Sequence, residues 1–267
     1  MSLRGLFAIS GGTRVVLGIT FSVAILTVLF AFFYYRSLNL AEDPRVSQAR
    51  ILMAEYDSQS GGPDSFTRFP LLDSAEAIFR SLPDYETSFE IGVIFNNKCS
   101  GLLMMALYDT TVSSGVKNEL LEISLDYCDS SISVYNRWLN DWGGLSDEAT
   151  ALKLEPYMRH DDPAFEGRNF KRIFRRRVRN IALARIETPR RLSVSYTNRA
   201  MAYRHLMMQD SALLCYEKAL SLWKDNRTAK SNMNVLLGGE PVKPGLIESL
   251  FPPDRNKSPQ QEPEKGF

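Results

Sequence analysis

The sequence contains few of the residues that most often carry catalysis or bind metal ions. Its 267 residues include two histidines and three cysteines, and no CxxC pair or histidine cluster gives metal-site spacing. Local context indicates no Ser/His/Asp or Cys/His set. The stretch GEPVKPG lacks the Gly–Lys–Ser/Thr order of a phosphate-binding loop. We therefore predict no catalytic residue, no metal site and no cofactor.

Disulfide patterns and an excess of one charge are lacking as well. Cys99, Cys128 and Cys215 are too few for a disulfide framework, and we interpret them as small apolar side chains on helix faces. A Cys99–Cys128 bridge is the alternative if the domain lies in an oxidising compartment. The net charge is +1, from 32 basic and 31 acidic residues, so the overall charge favours no nucleic-acid partner.

One long apolar run, from Val15 to Tyr35, stands near the N-terminus. Its 21 residues carry no charge, and at about 1.5 Å per residue they span a bilayer core of roughly 30 Å. A cleavable signal peptide is the alternative, but the run ends in bulky FAFFYYR and not in the small residues of a cleavage site. We predict an uncleaved single-pass anchor. Because the N-terminal tail is short, we place it in the cytoplasm and the following domain outside, in the periplasm if the protein is bacterial.

The remainder of the chain shows apolar residues at helical spacing and no strand-like alternation, so the predicted fold class is all-α. The stretch Tyr85–Tyr108 is long and apolar, but polar residues interrupt it, and we predict a buried helix there. The pair Thr188-Pro189 predicts a helix break, with Thr188 as the N-cap of the next helix.

Composition divides the chain into five predicted segments. Proline and polar residues predict disorder after the last helix, although the apolar residues of Leu246–Phe251 suit a short helix that docks into a groove or folds back on its own domain. The segments are an N-terminal tail 1–14, the anchor 15–35, a tether 36–70 with one helix and a Gly/Ser/Pro loop, a helical domain 71–237 and a Pro-rich disordered tail 238–267.

Large and small residues alternate regularly in Ser193–Asn226. Aromatic and alanine side chains recur there at spacings that let two helices approach closely: Tyr196, Ala200, Tyr203, Ala212, Tyr216 and Ala219. In this pattern the segment resembles a tetratricopeptide repeat (TPR), a 34-residue unit of two antiparallel helices, with Ala200 in place of the commoner glycine. A weaker copy, Val93–Asp109, aligns without gaps with Val194–Asp210. The resemblance implies a TPR-like α-solenoid of helical hairpins.

The resemblance also implies a use, because TPR domains mostly present a concave groove to peptides or partner proteins. The six residues of the pattern are expected at the seam between the two helices and not in a binding site. Side chains turned toward the groove are the expected partner contacts: Asn198, Arg199 and Arg204.

Ten basic residues lie between Arg168 and Arg191 on a predicted amphipathic helix. Most are arginines, whose forked guanidinium groups suit carboxylates and phosphates. Three interpretations stay open: the solvated face of a packed helix, a surface for an acidic protein partner, and a surface for anionic lipid head groups beside the anchor. The candidate contacts are Arg172, Arg175, Arg176 and Arg179.

Together these features predict a membrane-anchored, non-catalytic scaffold that binds a partner protein or an acidic or short peptide segment. It would help to assemble or retain a complex at the membrane. One alternative is a membrane-anchored enzyme or ligand-binding protein with a site near His160 and Asp161. Another is a cytoplasm-facing adaptor that binds anionic lipid or nucleic acid through the Arg-rich helix. The sequence indicates no oligomeric state.

Overall fold

The computed structural model describes residues 11–39, 41–59 and 67–243. These residues form nine α-helices, a short 3-10 turn at Pro163–Phe165 and no strand, which confirms the all-α class. The predicted disordered tail from residue 244 onward, with Leu246–Phe251, lies outside the described residues, as does most of the Gly/Ser/Pro loop. The helices are α1 Gly11–Asn39, α2 Pro44–Gln59, α3 Phe69–Ser81, α4 Phe89–Tyr108, α5 Ser114–Trp142, α6 Asp147–Leu154, α7 Phe170–His205, α8 Gln209–Leu222 and α9 Arg227–Leu236.

Helix α1 contains the apolar run Val15–Tyr35, so the prediction of an apolar N-terminal helix is confirmed. No part of the run is buried in the protein, and side chains such as Phe30, 73% exposed, face outward. An exposed apolar surface of this size is normally buried against a partner protein or a membrane. A bilayer with an apolar core of roughly 30 Å matches the length of the run. Signal sequences share these properties, so the structure establishes an apolar N-terminal helix that suits either role.

Helix α4 is also long and apolar enough to cross a membrane, but half of it is buried inside the protein. It carries Glu90 and Lys98, each 4% exposed, and both are ion-paired with side chains of other elements. Helix α4 is therefore a core helix of the domain, as the polar interruptions of its sequence predict. It begins at Phe89 and not at Tyr85, because residues 83–87 form turns.

Helices α4, α5 and α7 pack together at the centre of the helical domain, which comprises the described residues from Ala41 to Lys243. A disulfide joins Cys99 of α4 to Cys128 of α5, with their Cα atoms 5.5 Å apart. The interpretation of these two cysteines as unbonded apolar side chains is therefore wrong. The two helices are sequence neighbours that bring the two buried residues face to face. Cys215 is buried and unbonded, as interpreted.

Helix α7 runs without a break for 36 residues, through Pro189. The predicted break at Thr188-Pro189, with Thr188 as an N-cap, is wrong. A proline removes one backbone donor and crowds the carbonyl four residues earlier. Here Ala184, Thr188 and Leu192 are all buried along one face, and packing on both sides of the proline outweighs the local penalty. The first helix of the repeat-like segment is thus the C-terminal half of a longer helix.

Two helical hairpins cover this centre from different sides. The α2–α3 hairpin packs against α4, with Val46, Met53 and Tyr56 of α2 in the same buried cluster as α3 residues. Helix α2 therefore belongs to the folded domain and not to a tether, because its apolar side chains pack against α3 and α4. The α8–α9 hairpin packs on the C-terminal half of α7.

Candidate functional site

The six residues of the repeat pattern lie together between α7 and α8. The three alanines and Tyr216 are fully buried, while Tyr196 and Tyr203 are partly buried at the edge of the same cluster. Small residues let the helix backbones approach, and the aromatic rings fill the space beside them. These residues hold the hairpin together and offer little surface to a ligand: Tyr196, Ala200, Tyr203, Ala212, Tyr216 and Ala219.

A buried polar network fixes the α8–α9 hairpin on α7. The side-chain amide of Asn226 donates to Ser193 Oγ at 2.8 Å and to Thr197 Oγ1 at 3.0 Å, and its carbonyl oxygen accepts from the backbone N–H of Ala229 at 3.0 Å. Ser193 Oγ in turn donates to the carbonyl oxygen of Ala219 at 2.7 Å. Because buried polar groups are costly when unpaired, this network favours one orientation of the hairpin.

The three side chains predicted to face a partner groove point in different directions and have different contacts. Asn198 donates to Asn96 Oδ1 at 3.1 Å, and Arg204 lies half-buried in the last turn of α7. Arg199 lies 2.9 Å from Asp129 and donates to the Tyr203 hydroxyl at 3.1 Å. At about 100° per residue, positions 198, 199 and 204 point in three directions. They do not form one surface.

A cleft of about 490 Å³ opens between α3, α4 and α5. Apolar side chains of α4 and α5 alternate in it with charged side chains and hydroxyl groups. Apolar side chains with a few polar groups among them are the general composition of ligand-binding clefts, in which the polar groups fix orientation. The lining residues are Arg80, Glu86, Thr87, Ile91, Phe95, Asp129, Ser130, Ser133, Val134 and Arg137.

Asp129 connects this cleft to the predicted contact residues, because it lines the cleft and also pairs with Arg199. Burial raises the pKa of Asp129 above its ordinary value, and the charge of Arg199 opposes that shift. The cleft as a whole was not predicted from the sequence. Its walls come from three helices and the turn before α4. Ile91, Phe95 and Val134 follow the same helical spacing as core residues, so no local signal marks them.

The Arg-rich segment forms the N-terminal half of α7, and its candidate residues divide into two groups. Arg172, Arg175 and Arg179 are exposed. The side chain of Arg176 is 29% exposed and lies 4.0 Å from Glu42, in the stretch that follows α1. Among the candidate residues, Arg176 therefore lies near the point where the chain from α1 enters the helical domain.

Arg177, in the middle of the same segment, is part of the core. Its side chain is 3% exposed and lies 3.2 Å from Asp84 and 3.8 Å from Glu90. The guanidinium also covers the ring of Tyr85, 3.5 Å from its centroid. Burial lowers the pKa of Arg177, but Tyr85, Glu90 and Asp84 together raise it above its ordinary value, so the side chain stays charged.

Arg50 extends this ionic cluster toward the residues after α1. It lies 3.3 Å from Glu42 and 3.4 Å from Glu90. The pKa of Asp84 is raised by burial, against the pull of Arg177. The cluster thus joins α2, the turn before α4, α4 itself and α7, and it holds them at the end of the domain nearest to α1.

The region around His160 and Asp161 borders a second cavity of about 320 Å³. Asp161 is paired with Arg159 at 2.6 Å, and Asp162 with Arg45 at 2.8 Å. His160 packs edge-on against Phe170. Within residues 11–39, 41–59 and 67–243, no group of three His, Cys, Asp or Glu side chains is placed to hold a metal ion.

Comparison with protein-family models, with curated proteins and with solved structures found no match to this chain. The comparisons therefore give no support to the TPR resemblance, whose strong part is Ser193–Asn226 and whose weaker copy is Val93–Asp109. Any functional assignment must come from the arrangement of α1, the helical domain and its cleft.

Proposed function

We propose that this protein is a membrane-anchored helical adaptor, which binds a segment of a partner protein in the α3–α4–α5 cleft and holds that partner at the membrane. No catalytic step of its own is part of the proposal. The partner completes a complex at the membrane, and the helical domain supplies the rigid part of the interface.

The observation that carries the proposal is the composition of the cleft. Ile91, Phe95 and Val134 offer apolar contacts, while Arg80 and Arg137 present two guanidinium groups from different helices. Arg80 is oriented by Glu76, 2.8 Å away. An extended or helical segment with one apolar and one acidic side chain fits this arrangement, because its carboxylate would meet an arginine while its apolar group is buried.

The anchor part of the proposal rests on α1. An uncleaved Val15–Tyr35 span would keep the domain at the bilayer surface, and the bulky residues at its end favour retention over cleavage. The disulfide between Cys99 and Cys128 favours an oxidising compartment, in keeping with an N-terminus in the cytoplasm and a domain outside it.

We also infer that α8 and the C-terminal half of α7 form a TPR-like hairpin. The six seam residues, packed in one cluster, support this inference. The continuous α7 departs from the family's pattern, in which short helices alternate with turns. The hairpin therefore caps the domain, and its seam residues are not the partner site.

Affinity purification from gently solubilised membranes tests the proposed function. We expect a stoichiometric partner protein with the unaltered chain. Ser133→Trp, which fills the cleft, should weaken partner recovery at least tenfold, since a steric block worth about 1.4 kcal/mol already has that effect. Ser133 is exposed, so the substitution should leave the fold intact.

Ser221→Trp is the matched control, because Ser221 is an exposed serine of α8, away from the cleft. It should retain the partner. Recovery of the bare protein after crosslinking in gentle detergent would contradict the adaptor proposal, and equal loss with both tryptophan variants would contradict the assignment to the cleft.

A reporter fused after Phe267 tests the orientation. A reporter that is active only outside the cytoplasm should be active in this fusion, and one that is active only inside should be silent. The reverse result would contradict the proposed topology and would favour the cytoplasm-facing alternative.

A further inference from the structure

The N-terminal two thirds of α7 carries an outward stripe of exposed side chains. Positions separated by three or four residues lie on one side of a helix, and six such positions are all exposed. The first three are arginines and the next two are large apolar residues, 49% and 64% exposed. The stripe consists of Arg172, Arg175, Arg179, Leu183, Ile186 and Arg190.

Further along α7, the same face is buried by the rest of the domain and has a different amino-acid composition. Continuing at the same spacing, the next positions are Ser193, Thr197 and Ala200, and all three are buried. They lie under α8 and Asn226. The covered part of the face is small and partly polar, whereas the uncovered part is strongly basic with two large apolar side chains. This composition suits a surface that is both anionic and apolar.

The chain itself brings this stripe close to a bilayer. Five residues lie between Tyr35, the end of the apolar run, and Ala41, which is buried in the domain. They can extend over at most about 20 Å, and less where α1 continues to Asn39. Glu42 then lies 4.0 Å from Arg176, so α7 meets the chain from α1 at the beginning of the stripe.

Few occupants other than lipid fit both the location and the composition of the stripe. The head-group layer is only several Å thick on each side of the apolar core, and an arginine side chain on a tethered helix reaches it. Arginines bind lipid phosphates through forked contacts. Leu183 and Ile186 can enter the boundary between head groups and acyl chains, as apolar residues of interfacial helices do.

We propose that the stripe from Arg172 to Arg190 binds the anionic head groups of the bilayer that holds α1, so that α7 lies along the membrane surface. This inference rests on the proposed retention of α1 in the membrane. Each basic residue near an anionic surface strengthens binding about fivefold. Three arginines together should shift the equilibrium between docked and undocked domain on the order of 100-fold.

Fluorescence quenching in vesicles tests the proposal with the full chain. Leu183→Cys is labelled with an environment-sensitive fluorophore in a Cys215→Ala background, and the protein is reconstituted with a nitroxide quencher on the lipid head groups. The vesicles contain either phosphatidylcholine alone or phosphatidylcholine with 30% phosphatidylglycerol. We expect strong quenching in the anionic vesicles, little in the neutral ones, and loss of quenching in 1 M salt, where the Debye length is about 3 Å.

Charge reversal separates the stripe from general electrostatics. The triple variant Arg172→Glu, Arg175→Glu, Arg179→Glu should lose the quenching. The matched variant Lys218→Glu, Lys224→Glu, Lys230→Glu reverses three exposed charges of the α8–α9 hairpin region and should retain it. A label at Glu217→Cys, on the exposed side of α8, should stay unquenched throughout.

Flotation of the same vesicles distinguishes failure of the anchor from failure of this inference. Protein that does not float with neutral vesicles would contradict the anchor. Protein that floats with both kinds, but shows equal quenching at position 183 in both or none in either, would overturn lipid binding by the stripe. Loss of partner protein from the arginine variant without any lipid effect would assign the stripe to an acidic protein instead.

Discussion

Replacing Arg177 with alanine should lower the free energy of unfolding by about 3–5 kcal/mol, because removal of one partner leaves buried opposite charges uncompensated. The guanidinium of Arg177 is 3% exposed and pairs with Asp84 and Glu90. It also donates to the backbone carbonyl of Asp84 at 2.6 Å and covers the ring of Tyr85. No neighbouring side chain can replace all these contacts, so the substitution should destabilise the packing of both α4 and α7.

Urea unfolding of the detergent-solubilised protein, followed by tryptophan fluorescence, measures this loss. Arg175→Ala is the matched control, since Arg175 lies two positions earlier on the same helix but is exposed. Its effect should stay within about 0.5 kcal/mol. Equal effects of the two substitutions would mean that Arg177 is solvated and that the ionic cluster is not part of the core.

Removal of the disulfide should have the second large effect. The two cysteines are 29 positions apart in the sequence, and in the chain-entropy model a bridge over this distance destabilises the unfolded chain by about 3–4 kcal/mol. The variant Cys99→Ser, Cys128→Ser should be less stable by that amount and insensitive to reductant. The unaltered protein should lose a similar amount on reduction, whereas Cys215→Ser, which touches no bridge, should keep its response to reductant.

The oxidation state of Cys99 and Cys128 in cells tests on which side of the membrane the domain lies. Acid quenching of intact cells, followed by alkylation in denaturant, should leave Cys99 and Cys128 unmodified, because a domain outside the cytoplasm keeps the bridge. Complete modification of both residues would place the domain in a reducing compartment. That result would contradict the proposed orientation even if the purified protein forms the bridge in air.

Periodicity predicts the helical class, an uninterrupted apolar run predicts the N-terminal helix, and polar residues within an apolar stretch predict the burial of α4. Periodicity succeeds in the helical domain because each helix buries the face on which its apolar residues recur. It fails at Pro189, where a local rule for helix ends predicts a break. The buried residues Ala184 and Leu192 on either side keep α7 continuous.

Arg177 shows a different limit. It lies four residues from both Ile173 and Ile181, which are buried, and this spacing was a usable signal that it belongs to the core face. Its partners, however, stand about ninety residues earlier, at Asp84 and Glu90. A run of arginines in the sequence does not indicate which of them pairs with a carboxylate that is distant in the sequence. The sequence therefore predicted a basic helix but not its division into a core cation and an exposed stripe.

The cleft shows the same limit for the site. Phe95 comes from α4 and Ser133 from α5, and they meet Arg80 of α3 only in the folded domain. Among the contact residues predicted from the sequence, Arg199 pairs with a cleft residue, Asp129. The seam residues pack in one cluster, and their pattern is visible in the sequence because they lie close together on one helical hairpin. Residues that converge from three helices have no such local pattern.

Photo-crosslinking from the cleft in intact membranes tests the central claim most directly. A photoreactive amino acid at position 133 should give one discrete adduct with a partner protein, and the same amino acid at position 230, exposed on α9, should give none. Introduction of Arg137→Glu should abolish the adduct from position 133. Absence of any adduct from position 133, or identical adducts from both positions, would contradict a partner site in the cleft.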